Sequence, residues 1–98
     1  MWIGWIEFDI LLGDVRSLKQ KRAVVRPLIA ELSRRTEAAV AEVGTLDLYR
    51  RATIGVGVVA RDAGHVRDVL SRAERMLADE HPEITLLAAR HGLHSSDD

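Results

Sequence analysis

The chain has 98 residues and a mass of 10.9 kDa, room for a single domain, because a second core needs roughly another 100 residues. With 47% hydrophobic and 30% charged residues it has the make-up of a chain that buries a core, and disorder is excluded. Fourteen Lys+Arg against fifteen Asp+Glu exclude a uniformly basic nucleic-acid coat protein, so any anion site must be local, and the lack of cysteine removes disulfides, Cys-ligated zinc and thiol catalysis.

From Trp2 to Leu12 the even positions Trp2, Gly4, Ile6, Phe8, Ile10 and Leu12 alternate with Ile3, Trp5, Glu7 and Asp9, the period of a strand with one buried face. This stretch is too short and too charged to span a bilayer, and it lacks the basic start and small-residue cleavage site of a signal peptide. The expected setting is the cytoplasm, with no membrane partner. Gly13 and Asp14 end the strand. Ser17 followed by Gln20 is a helix-start pattern in which side chains satisfy the orphan amides of the first turn. The helix that follows presents Leu18, Val25, Leu28, Ile29 and Leu32 on one face and fades by Arg35 or Thr36. Pro27 removes a backbone donor, and a kink near Ala23 to Pro27, or a helix in two pieces, is expected.

Ala38 to Val43 reads as a short second strand. If Val40 faces the core then so does Glu42, unless a bulge intervenes, so the strand is expected to bulge near Ala41 or to lie at an edge. Ala52 to Ala60 alternates as a third strand. Asp62 caps a second helix carrying Val66, Val69, Leu70, Ala73, Met76 and Leu77 at helical spacing. After His81-Pro82, Ile84 to His91 forms the last strand, with Ile84, Leu86 and Ala88 on one side. The domain is expected over residues 1–92, followed by a flexible polar tail at 93–98. The order βαββαβ with right-handed crossovers predicts an α+β ferredoxin-like fold: a four-stranded antiparallel sheet in the order 4-1-3-2, with both helices on one face.

That topology gathers the first strand-to-helix turn and the second-to-third strand loop at one edge. Arg16, Lys19, Lys21, Arg22 and Arg26 meet Tyr49 and Arg50 there as candidate phosphate or RNA ligands, and residues 16 to 35 hold seven basic residues against one acid, Glu31. Cations near a helix N-terminus oppose the macrodipole, at about 0.3–1 kcal/mol each. A sequence tuned for stability alone would place acids there. The bland alternative is the solvated face of an amphipathic helix.

Ser17-Leu18-Lys19-Gln20-Lys21-Arg22, then Val40-Ala41-Glu42-Val43, then Asp47-Leu48-Tyr49-Arg50-Arg51-Ala52-Thr53-Ile54-Gly55-Val56 resemble the YlxP-like family of small bacterial proteins of unknown function, over nearly the whole chain. The sequence departs from that pattern at Thr45-Leu46, where relatives tend to carry His-Gln, and at Tyr49, where Trp is common. The resemblance implies a ferredoxin-like fold. From the family's frequent placement beside genes for translation initiation and ribosome maturation, it also implies an RNA or ribosomal-particle connection. It implies no established activity and no cofactor.

The free sheet face is the second candidate surface, with Ile3, Trp5, Val59 and Leu87 as an apolar patch for a homodimer or a protein partner. It is expected to show Thr85, Leu87 and Ala89 from the last strand. Aromatic stacking of RNA is not expected there, since the third strand offers glycines and the first offers two carboxylates. No enzyme is expected. An acylphosphatase needs an asparagine and a glycine-rich phosphate loop, and the chain has no asparagine. Glu7 and Asp9 read as a solvated or salt-bridged pair, Ser17 as a cap rather than a nucleophile, and His91 and His94 as too loosely held to bind a metal. The two functional readings are therefore a non-enzymatic RNA-binding accessory domain and a homo-oligomeric scaffold that uses the open sheet.

Overall fold

The computed structural model describes residues 1–45 and 47–97; of the Thr45-Leu46 pair and the tail at 93–98, Leu46 and Asp98 lie outside the described residues. The elements run β1 (Trp2–Leu12), α1 (Leu18–Thr36), β2 (Ala39–Gly44), β3 (Arg51–Ala60), α2 (Ala63–Glu80) and β4 (Ile84–Ser95). One antiparallel sheet in the order β2-β3-β1-β4 carries both helices on one face, the ferredoxin-like α+β arrangement. The alternation in β1 buries Ile6, Phe8, Ile10 and Leu12, and that in β3 buries Ala52, Ile54, Val56 and Val58. α2 covers them with the six apolar residues its spacing singled out. Among the described residues no helix is long and apolar enough to cross a membrane.

Ser17 caps α1, its Oγ accepting from the Gln20 N–H at 3.1 Å, while Gln20 Oε1 accepts from the Arg16 N–H at 2.6 Å. α1 is a single helix through Pro27, so the division into two pieces does not occur. Pro27 lies on the exposed side, as does Ala23, whose carbonyl loses its partner, so water can satisfy that oxygen. Val25, Leu28 and Leu32 hold the opposite side against the core.

β2 lies at an edge, one of the two arrangements expected for it; its register shifts at Val43, and Glu42 shares the helix side with Val40. Two expectations for β4 need correction. β4 carries an extra residue at Leu87: Ile10 faces Leu86 and Asp9 faces Ala88. The bulge flips the phase, so Ala88, Arg90, Gly92 and His94 reach the open face, and Ala89 turns to the helix side. β4 also runs to Ser95, opposite Trp2, so residues 93–95 belong to the sheet and not to a tail.

Candidate functional site

Lys21 was expected at the rim and is found inside, 3% exposed. With Val25, Leu28 and Leu32 it occupies positions i, i+4, i+7 and i+11, the buried stripe of α1. Its Nζ lies 2.9 Å from Glu42 Oε2 and donates to the carbonyl oxygens of Thr45, at 2.8 Å, and Leu48, at 2.7 Å. Two ammonium protons are thus donated to backbone carbonyls and the charge is paired with Glu42 within the chain. Lys21 is a clasp for the β2–β3 loop and is not available to a phosphate. The clasp holds Thr45 at φ 55, a left-handed conformation rarely adopted by a β-branched residue.

Lys19, Arg22 and Arg26 are exposed, and their i, i+3, i+7 spacing places them on one flank of α1. None of the three has an ion pair among the described residues. Arg16 donates to Asp14 Oδ1 at 3.1 Å, a pair so exposed that it is worth about 0–1 kcal/mol and can yield to another anion. Tyr49 and Arg50 are exposed on the β2–β3 loop. Arg50 Nε donates to the Gly13 carbonyl at 3.1 Å, and the Leu12 N–H donates to the Arg50 carbonyl at 2.8 Å. These bonds bring the loop against the turn before α1, joining segments far apart in sequence.

At the other end of α1, Arg35 forks onto Glu80 (Nη1 to Oε1 2.7 Å, Nη2 to Oε2 3.2 Å) and also reaches Glu31 at 2.9 Å. The Arg35 hydrogen bonds hold the Glu80 carboxyl below its usual range, and Glu80 with Glu31 raises the guanidinium. His81 lies between Glu31 and Glu83, at 3.2 and 2.8 Å. Arg34, in the last turn, has no ion pair among the described residues, so the unpaired cations of α1 are Lys19, Arg22 and Arg26 in its N-terminal half and Arg34 at its end.

The open sheet face has two ends. At one, Glu7 pairs with Arg90 and Asp9 with Arg51, so each carboxylate has its own guanidinium; Arg51 belongs to this face and not to the loop beside α1. At the other, Ile3, Trp5 and Val59 are displayed, Val59 being 65% exposed. Leu87 is exposed at the bulge, off the regular pairing. A shallow cavity of about 370 Å³ lies between Trp5, Val43, Gly55, Gly57, Ala39 and Ala41. Val43, missed from the sequence, reaches this face by alternation with Ala39 and Ala41, and the register shift carries Gly44 to the open-face residue Thr53 as well. His91 and His94 sit in β4 opposite Ile6 and Ile3, so alternation points them to opposite faces and their metal-like spacing is void. No group of three metal-ligating side chains is found among the described residues.

Among proteins of known sequence, the uncharacterized protein YlxP of Bacillus subtilis (strain 168) is 28% identical over 82 residues, 84% of this chain and 88% of its own length. Among solved structures, SnoaB, a cofactor-independent oxygenase from Streptomyces nogalater (mutant N63A), aligns with a TM-score of 0.48 and 13% identity over 99% of this chain and 94% of its own. Protein SO0527 from Shewanella oneidensis aligns at 0.46 and 14%, over 93% and 88%. At such identities no activity transfers from either structure. A family model described as protein of unknown function (DUF503) matches residues 3–91, and the chain belongs to that family.

Proposed function

We propose that the domain is a non-enzymatic binding module that takes the phosphates of RNA, free or within a ribosomal particle, along the exposed flank of α1. Lys19, Arg22 and Arg26 are the ligands, with Arg16 and Arg50 at the near end and Tyr49 beside them. One observation carries this reading: three cations on one flank lack any carboxylate partner among the described residues, in a chain whose net charge is −1. Seven residues of helix span about 10.5 Å, so the flank can follow a strand over more than one phosphate. Glu7 and Asp9, the carboxylates best placed for acid–base work, are each held by an arginine, which favours binding over catalysis.

Filter binding of structured RNA across a salt series tests this. Counterion release predicts that log K falls linearly with log salt, and that replacing Lys19, Arg22 and Arg26 together by alanine flattens the slope by about 2–3 and weakens binding more than about tenfold. Binding that ignores salt, or is unchanged in the triple variant, defeats the proposal.

A further inference from the structure

Four glycines lie in the three long strands, and the chain itself accounts for three. A Cβ on Gly4 would sit 2.1 Å from Val66 Cγ1, one on Gly55 would sit 2.9 Å from Val43 Cγ1, and one on Gly92 would sit 2.5 Å from Trp5 Nε1. Gly57 is different. A Cβ there would meet nothing within 4 Å, and its φ is not positive. Glycine inside a strand costs about 0.5–1 kcal/mol relative to alanine, and within this fold Gly57 returns nothing for that cost. Such a glycine marks a place where something outside the chain approaches the backbone closely.

The face around it is divided down its length. In the row through Gly57, β2 and β3 offer Ala39 and Gly57, while β1 and β4 offer Trp5, whose indole lies over Gly92. One half is bare and the other raised. A two-fold axis lying in the face, parallel to the strands and between β3 and β1, exchanges those halves and sets each Trp5 on the partner's Gly57 and Ala39. We infer that the open sheet face pairs with a second copy of this chain through that reciprocal insertion.

Two further features favour a second copy over another occupant. Each charged residue of the face already has its own counter-ion, Glu7 with Arg90 and Asp9 with Arg51, so the face is electrically neutral and suits a neutral partner rather than a polyanion. Strands of 11, 6, 10 and 12 residues at about 3.3 Å per residue and about 4.8 Å apart cover roughly 600 Å² in plan, against the about 800 Å² per partner of a stable interface. Sheets stacked in this way lie about 10 Å apart, the depth that interdigitated side chains fill.

The discriminating variant is Gly57→Val. The Cβ of a valine there is clear of the chain's own atoms and valine suits a strand, so the monomer is expected to keep its fold, while the seat for the partner's indole is filled. Sedimentation equilibrium over a dilution series is expected to give wild type twice the 10.9 kDa chain mass. Gly57→Val is expected to raise the dimer Kd at least about tenfold, with the far-UV circular dichroism of wild type, and Trp5→Glu to do the same from the other side of the contact. A wild type that remains at the single-chain mass, whatever else covers the face, overturns the inference, as does a Gly57→Val that dimerises like wild type. The α1 flank lies in the helix layer, so RNA binding by Gly57→Val separates failure of this interface from failure of the phosphate site.

Discussion

Replacing Lys21 by methionine is expected to destabilise the domain by about 3 kcal/mol, the low end of the range for breaking a buried ion pair. Methionine keeps most of the aliphatic stem packed among the α1 core residues, so the loss isolates the ammonium group. Glu42, whose side chain is only 21% exposed, is left without its cation, and the carbonyl oxygens of Thr45 and Leu48 lose their shared donor. Partial access of Glu42 to water is why the low end applies. Urea unfolding measures the loss, and for a domain of this size it lowers Tm by about 4–8 °C per kcal/mol. Adding Glu42→Gln to Lys21→Met is expected to recover part of the loss, since a neutral amide is cheaper to bury alone than a carboxylate; strict additivity in that cycle would mean that the two groups do not interact. A cost for Lys21→Met below about 1 kcal/mol would place the lysine among ordinary surface residues.

Gly4→Ala is expected to cost about 2–3 kcal/mol, toward the upper end for overpacking. The added methyl would stand 2.1 Å from Val66 Cγ1 and 3.3 Å from Leu70 Cδ1. Val66 is fully buried, and a β-branched residue in a helix has one strongly preferred χ1, so it cannot swing aside. α2 must lift from β1 instead. The double variant with Val66→Ala opens space for the new methyl and is expected to melt above Gly4→Ala alone, although Val66→Ala by itself destabilises. If Gly4→Ala melts at the wild-type temperature, the close approach of α2 to β1 does not exist. The same reasoning separates Gly4 from Gly57: both interrupt a strand, but one makes room for the protein's own helix and the other does not.

The element order and sheet topology were legible because alternation in β1 and β3 and helical spacing in α2 are strong local signals, and the crossover rule then leaves few topologies. The bulges were not. An extra residue at Leu87 depends on how β4 fits β1 over its whole length, so plain alternation from Ile84 gives the wrong open-face residues beyond it. The end of β4 is equally hidden in the sequence, since Gly92, His94 and Ser95 read as polar tail while their backbone groups find a partner only once Trp2 to Trp5 lie opposite. Pro27 does not divide α1, because its cost depends on which side of the helix it falls, and it falls on the wet side.

The candidate site was half legible. Exposed basic residues announce themselves in a charge count, but which of them are already spent depends on contacts across the fold. Two oddities in the sequence did point to the clasp: Lys21 shares the phase of Val25, Leu28 and Leu32, and Glu42 shares the phase of Val40. Each is an error of patterning alone, and together they are an ion pair. Joining them needed only the step that α1 packs against β2.

The division of labour between the two lysines, one structural and one exposed for ligand, is the claim on which the functional reading turns. Lys19 and Lys21 are the only lysines in the chain, so graded acetylation of the native protein, located by fragment mass spectrometry, reads it directly. Lys19 is expected to react at the rate of a free amine and Lys21 to stay unmodified until the protein is unfolded. Equal labelling of the two in the folded state would contradict the account.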